Sequence, residues 1–285
     1  MKGITYYKPD LHMHSVYSDG TDTPEMLVRN VRAAGLDVFA LTDHDTTQGC
    51  AAVRALLRPG DPAFIGGVEF SCKDQGGKYH VLGYGFDAER PAIRAAADYA
   101  HNGRLLKMRN RFAYLQDQYG FTFTEEEQAA LLQLKNPGKP HLAAMMVKKG
   151  YVKDKNEGFE LVSGYRDTEP LLTPEEAIRA ILQSGGIPVL AHGILADGSK
   201  NLTEEEICAR AERLKAAGLM GLECYYSTFT SRQQEIMLAL AERLDLLVTA
   251  GSDYHGTNKT VGLGQTGCQA PEKLQRFYDA VADRI

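Results

Sequence analysis

The stretch Asp10-Leu-His-Met-His-Ser-Val-Tyr-Ser-Asp19-Gly20 sets two imidazoles and a carboxylate close together. In an extended segment side chains two apart share a face, so His12 and His14 point the same way while Leu11 and Met13 turn toward packing. Paired imidazoles suit one transition-metal ion, and Asp19 can add an oxygen ligand. Taken alone, His-x-His fits a strand with two hydrogen-bonded histidines equally well. The rest of the chain shifts that balance, because the same residue types recur at the ends of apolar runs. Asp43, His44 and Asp45 follow the run from Val38, Glu69 follows the run from Ala63, and His80 lies in the next. His192, Glu223, Asp253 and His255 complete the series. Structural filler gives no reason for Asp and Glu to accompany histidines on buried strands, whereas a metal cluster does.

The elements that must position these groups alternate. The apolar and aromatic residues Ile4, Tyr6 and Tyr7 are read as a first strand running into the His-x-His loop. Thr23 then caps a helix with Pro24 at its first position, and Gly35 closes it. Further helices are expected over 51–57, 173–184, 203–217, 231–244 and from Pro271, separated by apolar strand candidates. Seven strands alternating with helices imply a mainly parallel sheet, closed or nearly closed into a barrel. Residues 1–90 and 171–285 read as two parts of that barrel. Between them, 91–170 reads as a small helical insertion, with helices over 92–119, 124–134 and 140–150 and loops over 136–140 and 158–170. Barrels of this kind build their active sites at the C-terminal strand ends, where the candidate ligands fall.

With 285 residues, 44% of them hydrophobic and 24% charged, the chain can bury a full core as a soluble globular enzyme. A net charge of −5 argues against attraction to duplex nucleic acid or an anionic membrane, so an anionic substrate must be caught locally. No apolar run is long enough to span a bilayer and the first residues are too polar for a signal peptide, so a cytoplasmic protein is expected. The five cysteines show no Cys-x-x-Cys pairing, which argues against a disulfide frame or a zinc knuckle.

Taken in order, Asp-Leu-His-Met-His-Ser with Ser-Asp-Gly, Leu-Thr-Asp-His-Asp, Gly-Val-Glu-Phe-Ser, Leu-Ala-His and Gly-Ser-Asp-Tyr-His-Gly resemble the polymerase and histidinol phosphatase (PHP) family of metal-dependent phosphoesterases. The resemblance implies a distorted seven-stranded (β/α)7 TIM-like barrel of α/β class, related to the amidohydrolases, with a cluster of up to three metals. It also implies that His12, His14, Glu69 and Asp253 hold a first metal. Glu69 would bridge to a second, completed by His80 and His192, and Asp19, His44 and His255 would hold a third. Three or four protein ligands per ion leave open positions for water and substrate. Nitrogen and oxygen ligands without thiolate suit two to three Mn, Zn or Fe ions.

The activity implied is hydrolysis of a phosphomonoester or phosphodiester in a small metabolite, a nucleotide or a short oligonucleotide end, by a metal-activated hydroxide. Glu69, Asp253 and His255 are the candidate catalytic groups, the last two for handling a proton. Lys139 and His141, at a helix start in the insertion, and Arg166, in the loop after it, are candidate phosphate contacts. Glu223 is expected beyond the metals as a partner to a ligand. The alternatives are an amidohydrolase cleaving a C–N bond and a non-catalytic metal-binding module. Two positions depart from the family pattern: Gly193 follows His192 where Pro is common, loosening the loop to Gly198, and Phe229 stands where many relatives carry His. Both bear on substrate specificity.

Overall fold

The computed structural model describes residues 2–135, 137–195 and 201–284. Seven strands lie in one sheet in chain order: β1 (Pro9–Asp10), β2 (Val38–Leu41), β3 (Ala63–Asp74), β4 (Gly77–Tyr84), β5 (Ile187–Leu190), β6 (Gly221–Tyr226) and β7 (Leu247–Gly251). β1 to β3 pair in parallel, as do β5 to β7, whereas β4 runs antiparallel to β3 and β5. The edges of the sheet meet where Leu11 N donates to Ala250 O, Asp253 N to His12 O and His14 N to Tyr254 O, each at 2.8 Å. The result is a nearly closed seven-stranded barrel.

The reversed strand has a local cause. β3 and β4 are joined by a tight turn with Gly77 at φ 107, too short for a crossover helix, so the two strands must form a hairpin. The reversal puts His80, early in β4, on the same rim as the ends of the parallel strands. The first strand is shorter than expected. Ile4 and Tyr7 are exposed at 50% and 72%, and pairing with β2 begins only at Pro9.

Around the sheet lie α1 (Pro24–Ala34), α2 (Gln48–Leu56), α3 (Pro91–Tyr119), α4 (Glu125–Leu132), α5 (Lys139–Lys148), α6 (Lys155–Ser163), α7 (Pro174–Gln183), α8 (Glu204–Ala216), α9 (Ser231–Arg243) and α10 (Gln275–Ala282). Thr23 accepts from Met26 N at the start of α1, and Gly35 ends that helix in the left-handed region. Thr-x-x-Glu or Thr-x-x-Gln capping boxes open α4, α7, α8 and α9. α6 falls where a loop was expected. It lacks a long apolar stripe, but Asp154 caps it, and Gly158 lets its backbone approach α5 so closely that an added Cβ would lie 3.0 Å from Ala143 Cβ.

α3 to α6 lie between β4 and β5. The first turns of α3 carry Ile93, Ala96 and Ala100 into the barrel core, while Met108, Phe112 and Leu115 join Phe123, Leu142 and Met146 in a separate core. One helix therefore belongs to both cores. No described helix is long and apolar enough to cross a membrane, and the five cysteines are unpaired.

Gly251, at the end of β7, shows how tightly the rim is drawn. A Cβ there would lie 2.2 Å from His12 Cβ and 2.4 Å from Glu223 Oε1. Gly251→Ala is expected to destabilise the fold by about 1–3 kcal/mol, the usual cost of overpacking a filled interior. Denaturant unfolding of the two proteins checks this, and an unchanged midpoint would show that the rim can give way.

Candidate metal centre and substrate cavity

The strand ends deliver their polar groups to one point. Glu69 is 1% exposed and lies between two sets of imidazoles. Its Oε2 is 3.1 Å from His12 Nε2, 3.2 Å from His14 Nε2 and 3.1 Å from His44 Nδ1; its Oε1 is 2.7 Å from His80 Nδ1 and 3.3 Å from His192 Nε2. Asp253 Oδ1 lies 3.2 Å from His14 Nε2 and 3.6 Å from His12 Nε2. To the other side, Asp19 Oδ1 is 3.2 Å from His255 Nε2 and 4.0 Å from His44 Nε2.

Three groups have ligand atoms all within 4.8 Å of one another: His12, His14, Glu69 and Asp253; His44, Glu69 and His80; and His14, Asp19, His44 and His255. His192 reaches the second group through Glu69 Oε1. The nine side chains expected as ligands are therefore assembled at one rim, with His44 placed between the second and third groups.

The donors fit divalent cations. His12 Nε2, His14 Nε2, Asp19 Oδ1, Glu69 Oε2 and His80 Nδ1 are buried and make no hydrogen bond among the described residues, although they crowd one another. Buried polar atoms are nearly always bonded, so atoms that converge without hydrogen-bond geometry mark a shared ion. Burial alone would push the Glu69 carboxyl up, but His12, His44 and His80 hold it well below the usual carboxylate range.

The surrounding side chains orient the donors. The fully buried Glu223 accepts from His12 Nδ1 at 2.9 Å and from His192 N at 2.8 Å. Because Nδ1 donates, Nε2 is left as the lone-pair nitrogen facing the centre. His255 Nδ1 likewise lies 2.8 Å from Asp253 O, leaving Nε2 toward Asp19. Asp253 Oδ2 accepts from the Tyr226 hydroxyl at 2.7 Å and from Lys259 Nζ at 2.6 Å, so only Oδ1 faces the donors. Asp43 stays outside the cluster and holds the β1 loop, accepting from Ser15 N, Ser15 Oγ and Ser18 Oγ. The backbone turns sharply at Asp45, His192 and Asp253, whose φ values are 56, 30 and 59. Such non-glycine conformations persist only where the surroundings enforce them.

The cluster forms one wall of a cavity of about 520 Å³. In the same cavity Lys78, Lys107 and Arg111 surround Asp167, with Lys107 Nζ at 3.1 Å and Arg111 Nη2 at 3.4 Å from its carboxylate. The three cations converge on Asp167, the buried Glu169 also pulls on Lys107 and Arg111, and Arg111 Nε is buried without a hydrogen bond among the described residues. Arg104, one turn before Lys107 on α3, also lines the cavity and pairs with Asp45.

The PHP domain matches over residues 10–167, more than half of the chain. The chain belongs to the PHP family. It is 31% identical to a phosphoribosyl 1,2-cyclic phosphate 1,2-diphosphodiesterase from Eggerthella lenta, over 87% of this chain and 94% of that protein. It is 32% identical to a 3',5'-nucleoside bisphosphate phosphatase from Chromobacterium violaceum, over 86% of each. Among solved structures, a metal-dependent phosphoesterase from Bifidobacterium adolescentis superposes with a TM-score of 0.83 at 28% identity, covering 95% of this chain and 96% of that one. The fold, the family and the buried donor set make this PHP chain a metal-dependent hydrolase of phosphoric esters.

The substrate contacts expected from the sequence are placed less uniformly. Lys139 lines the cavity and reaches Ser163 Oγ at 3.3 Å. His141 does not line it; its Nδ1 accepts from Gly138 N at 3.0 Å, capping α5. Arg166 is exposed and off the cavity wall, because the cations draw the neighbouring Asp167 inward and turn Arg166 to solvent. Arg104, Lys107 and Arg111 carry no motif in the sequence, although their i, i+3, i+7 spacing puts them on one face of a long helix. Lys78, Tyr226 and Lys259 carried no signal beyond lying near the motifs. Gly193 has a steric reason, since a Cβ there would lie 2.5 Å from Leu190 Cδ2. The end of its loop at Gly198 lies outside the described residues, as does Asn136. Phe229 packs beneath Tyr226, with ring centroids 5.3 Å apart.

Glu223→Gln exchanges an acceptor for an amide whose NH2 must face either His12 Nδ1–H or His192 N–H. Metal affinity is expected to fall about 10–100-fold, the usual effect of losing a ligand's hydrogen-bond partner. Competition with a chelator, read by elemental analysis, measures this; retention equal to wild type would show that His12 needs no such partner.

Proposed function

We propose that this PHP enzyme hydrolyses a phosphomonoester on a small molecule that carries a second anionic group, of the nucleoside or sugar bisphosphate class. The observation that carries the reading is a single cavity lined both by a cation-demanding donor cluster and by Lys78, Lys107 and Arg111, which gather around Asp167. In this reading His12, His14, Glu69 and Asp253 hold one ion, Glu69 with His80 and His192 a second, and Asp19, His44 and His255 a third, of Mn, Zn or Fe. Such ions acidify a water to a nucleophile near neutral pH and neutralise phosphate charge.

The chain's own residues do the rest. Arg104 and Lys259 flank the cluster and offer charged hydrogen bonds to the phosphate under attack, and Lys78, Lys107 and Arg111 hold the distal anion. Asp253 acts as a ligand rather than a proton acceptor, because Tyr226 and Lys259 occupy its outer oxygen. Lys139 contributes charge at the mouth. The relative from C. violaceum is named for a bisphosphate, in keeping with two anion subsites. Several cations beside the donor cluster suit a multiply charged phosphate ester more than a neutral amide, which favours phosphoester over C–N hydrolysis. Unpaired cysteines suit a reducing compartment, in keeping with a cytoplasmic site of action.

Phosphate and ammonia release across compound panels test the reading with Mn-, Zn- and Fe-loaded enzyme. Bisphosphates are expected to exceed the matching monophosphates at least tenfold in kcat/KM. Ammonia without phosphate, or bound metal without turnover of any ester, would overturn it.

The distal wall also makes a pH prediction. Burial pushes the Lys107 ammonium down to about 8, against the pull of Asp167 and helped by Arg111 and Arg104. Lys107 is charged below that value and neutral above it, so kcat/KM is expected to fall as pH rises through about 8. In Lys107→Arg, which stays charged, this descending limb should vanish. Its persistence would assign the limb to another group.

A further inference from the structure

Arg104 leaves α3 and crosses to the barrel rim. Its Nε donates to Asp45 Oδ2 and its Nη2 to Ser71 Oγ at 3.0 Å. Asp45 in turn fixes Ser71, accepting its N–H at 2.8 Å and its hydroxyl at 3.0 Å. Asp45 is 1% exposed, sits in the left-handed region, and bonds through its backbone N–H to Glu69 O at 2.9 Å. The carboxylate is thus set by the strand ends that carry the donor cluster, while the guanidinium it holds comes from a helix of the segment between β4 and β5.

The guanidinium is a rigid planar fork, so fixing Nε and Nη2 also fixes where Nη1 points. Nη1 makes no hydrogen bond among the described residues, and Arg104 lines the cavity between the cluster and Lys107. An arginine free to sample its rotamers would spend much of its binding energy on being ordered; this one is ordered before substrate arrives.

We propose that Asp45, with Ser71, is a positioning residue: it holds Arg104 so that the Nη1 edge meets the phosphate beside the metal centre. The proposal rests on the phosphoesterase reading. Asp45→Asn tests it, because Asn tolerates the left-handed backbone and can still accept from Ser71 N, but sets an amide NH2 against the guanidinium. The expected loss in kcat/KM is about 10–100-fold, carried mainly by KM, as for one charged hydrogen bond. Calorimetric binding of inorganic phosphate should weaken in parallel, with metal content unchanged. In an Arg104→Met background the same Asp45→Asn change should cost less than about twofold, since positioning acts only through Arg104.

Full activity and phosphate binding in Asp45→Asn would overturn the proposal. So would a loss that multiplies with Arg104→Met, which would place the effect in the fold or in His44. If Asp45→Asn does not fold, Ser71→Ala removes the Nη2 tether in the same cycle, with the same expectation of no further loss beside Arg104→Met. A wild-type enzyme that releases no phosphate from any ester defeats the functional reading. The cycle on inorganic phosphate binding still decides the role of Asp45.

Discussion

The structure turns on a carboxylate that has to be buried. Glu69 lies in the floor of the barrel mouth with Asp253 and Asp19 nearby, all three walled in by imidazoles. An uncompensated buried charge is worth several kcal/mol against the fold. Protonated His12 and His14 can answer part of that charge when no metal is bound, but only neutral histidines have lone pairs for metal, so a loaded centre loses that compensation. Lys259 and Arg104 make up part of the deficit. Divalent cations make up the remainder, so the demand for metal follows from electrostatics as well as from ligand chemistry.

Meeting that demand shapes the backbone around it. Asp45, His192 and Asp253 each follow a strand and each turn into the left-handed region, which bends the chain over the rim and aims its polar groups inward. Small residues stand where groups come too close for anything larger. Gly251 lies under His12 and Glu223, and a Cβ on Gly49 would lie 2.6 Å from Asp43 Oδ2. The strained turns are enforced by the packed strands beneath them, and the strands are held by ordinary burial of Val, Leu and Phe residues that have no part in the chemistry.

How much of this could be read from the residues depended on whether their meaning was local. His12-x-His14, Asp43-His44-Asp45 and Asp253-x-His255 are rare combinations at the ends of apolar runs, so the metal cluster and the barrel were legible together. Glu69 and His80 followed from the same pattern. The cation wall was not, because Arg104, Lys107 and Arg111 are common surface types on a helix and Lys78 sits in an ordinary hairpin; only tertiary packing turns them inward. Arg166 stands one residue from the cavity-lining Asp167, and in a loop sequence does not say which of two adjacent side chains meets the cavity. His141 was legible as a residue near the mouth but not as a cap, since at N3 its Nδ1 takes the place of the Glu or Gln that usually accepts from the N-cap N–H.

The two walls of the cavity are joined by α3, and this gives the site a fixed span. The first turns of that helix lie in the barrel core with Ile93 and Ala96, and the later turns present Lys107 and Arg111 to the cavity while Met108, Phe112 and Leu115 enter the second core. A helix anchored at both ends by buried packing cannot slide without opening a void in one core. The separation between the donor cluster and the distal cations is therefore set by the fold rather than by a mobile loop, and Arg104 ties the same helix to the rim at Asp45. Selection by such a site works by length. In the proposed reading, a substrate is accepted when the distance between its scissile phosphate and its second anion matches a spacing that was built in when the barrel folded.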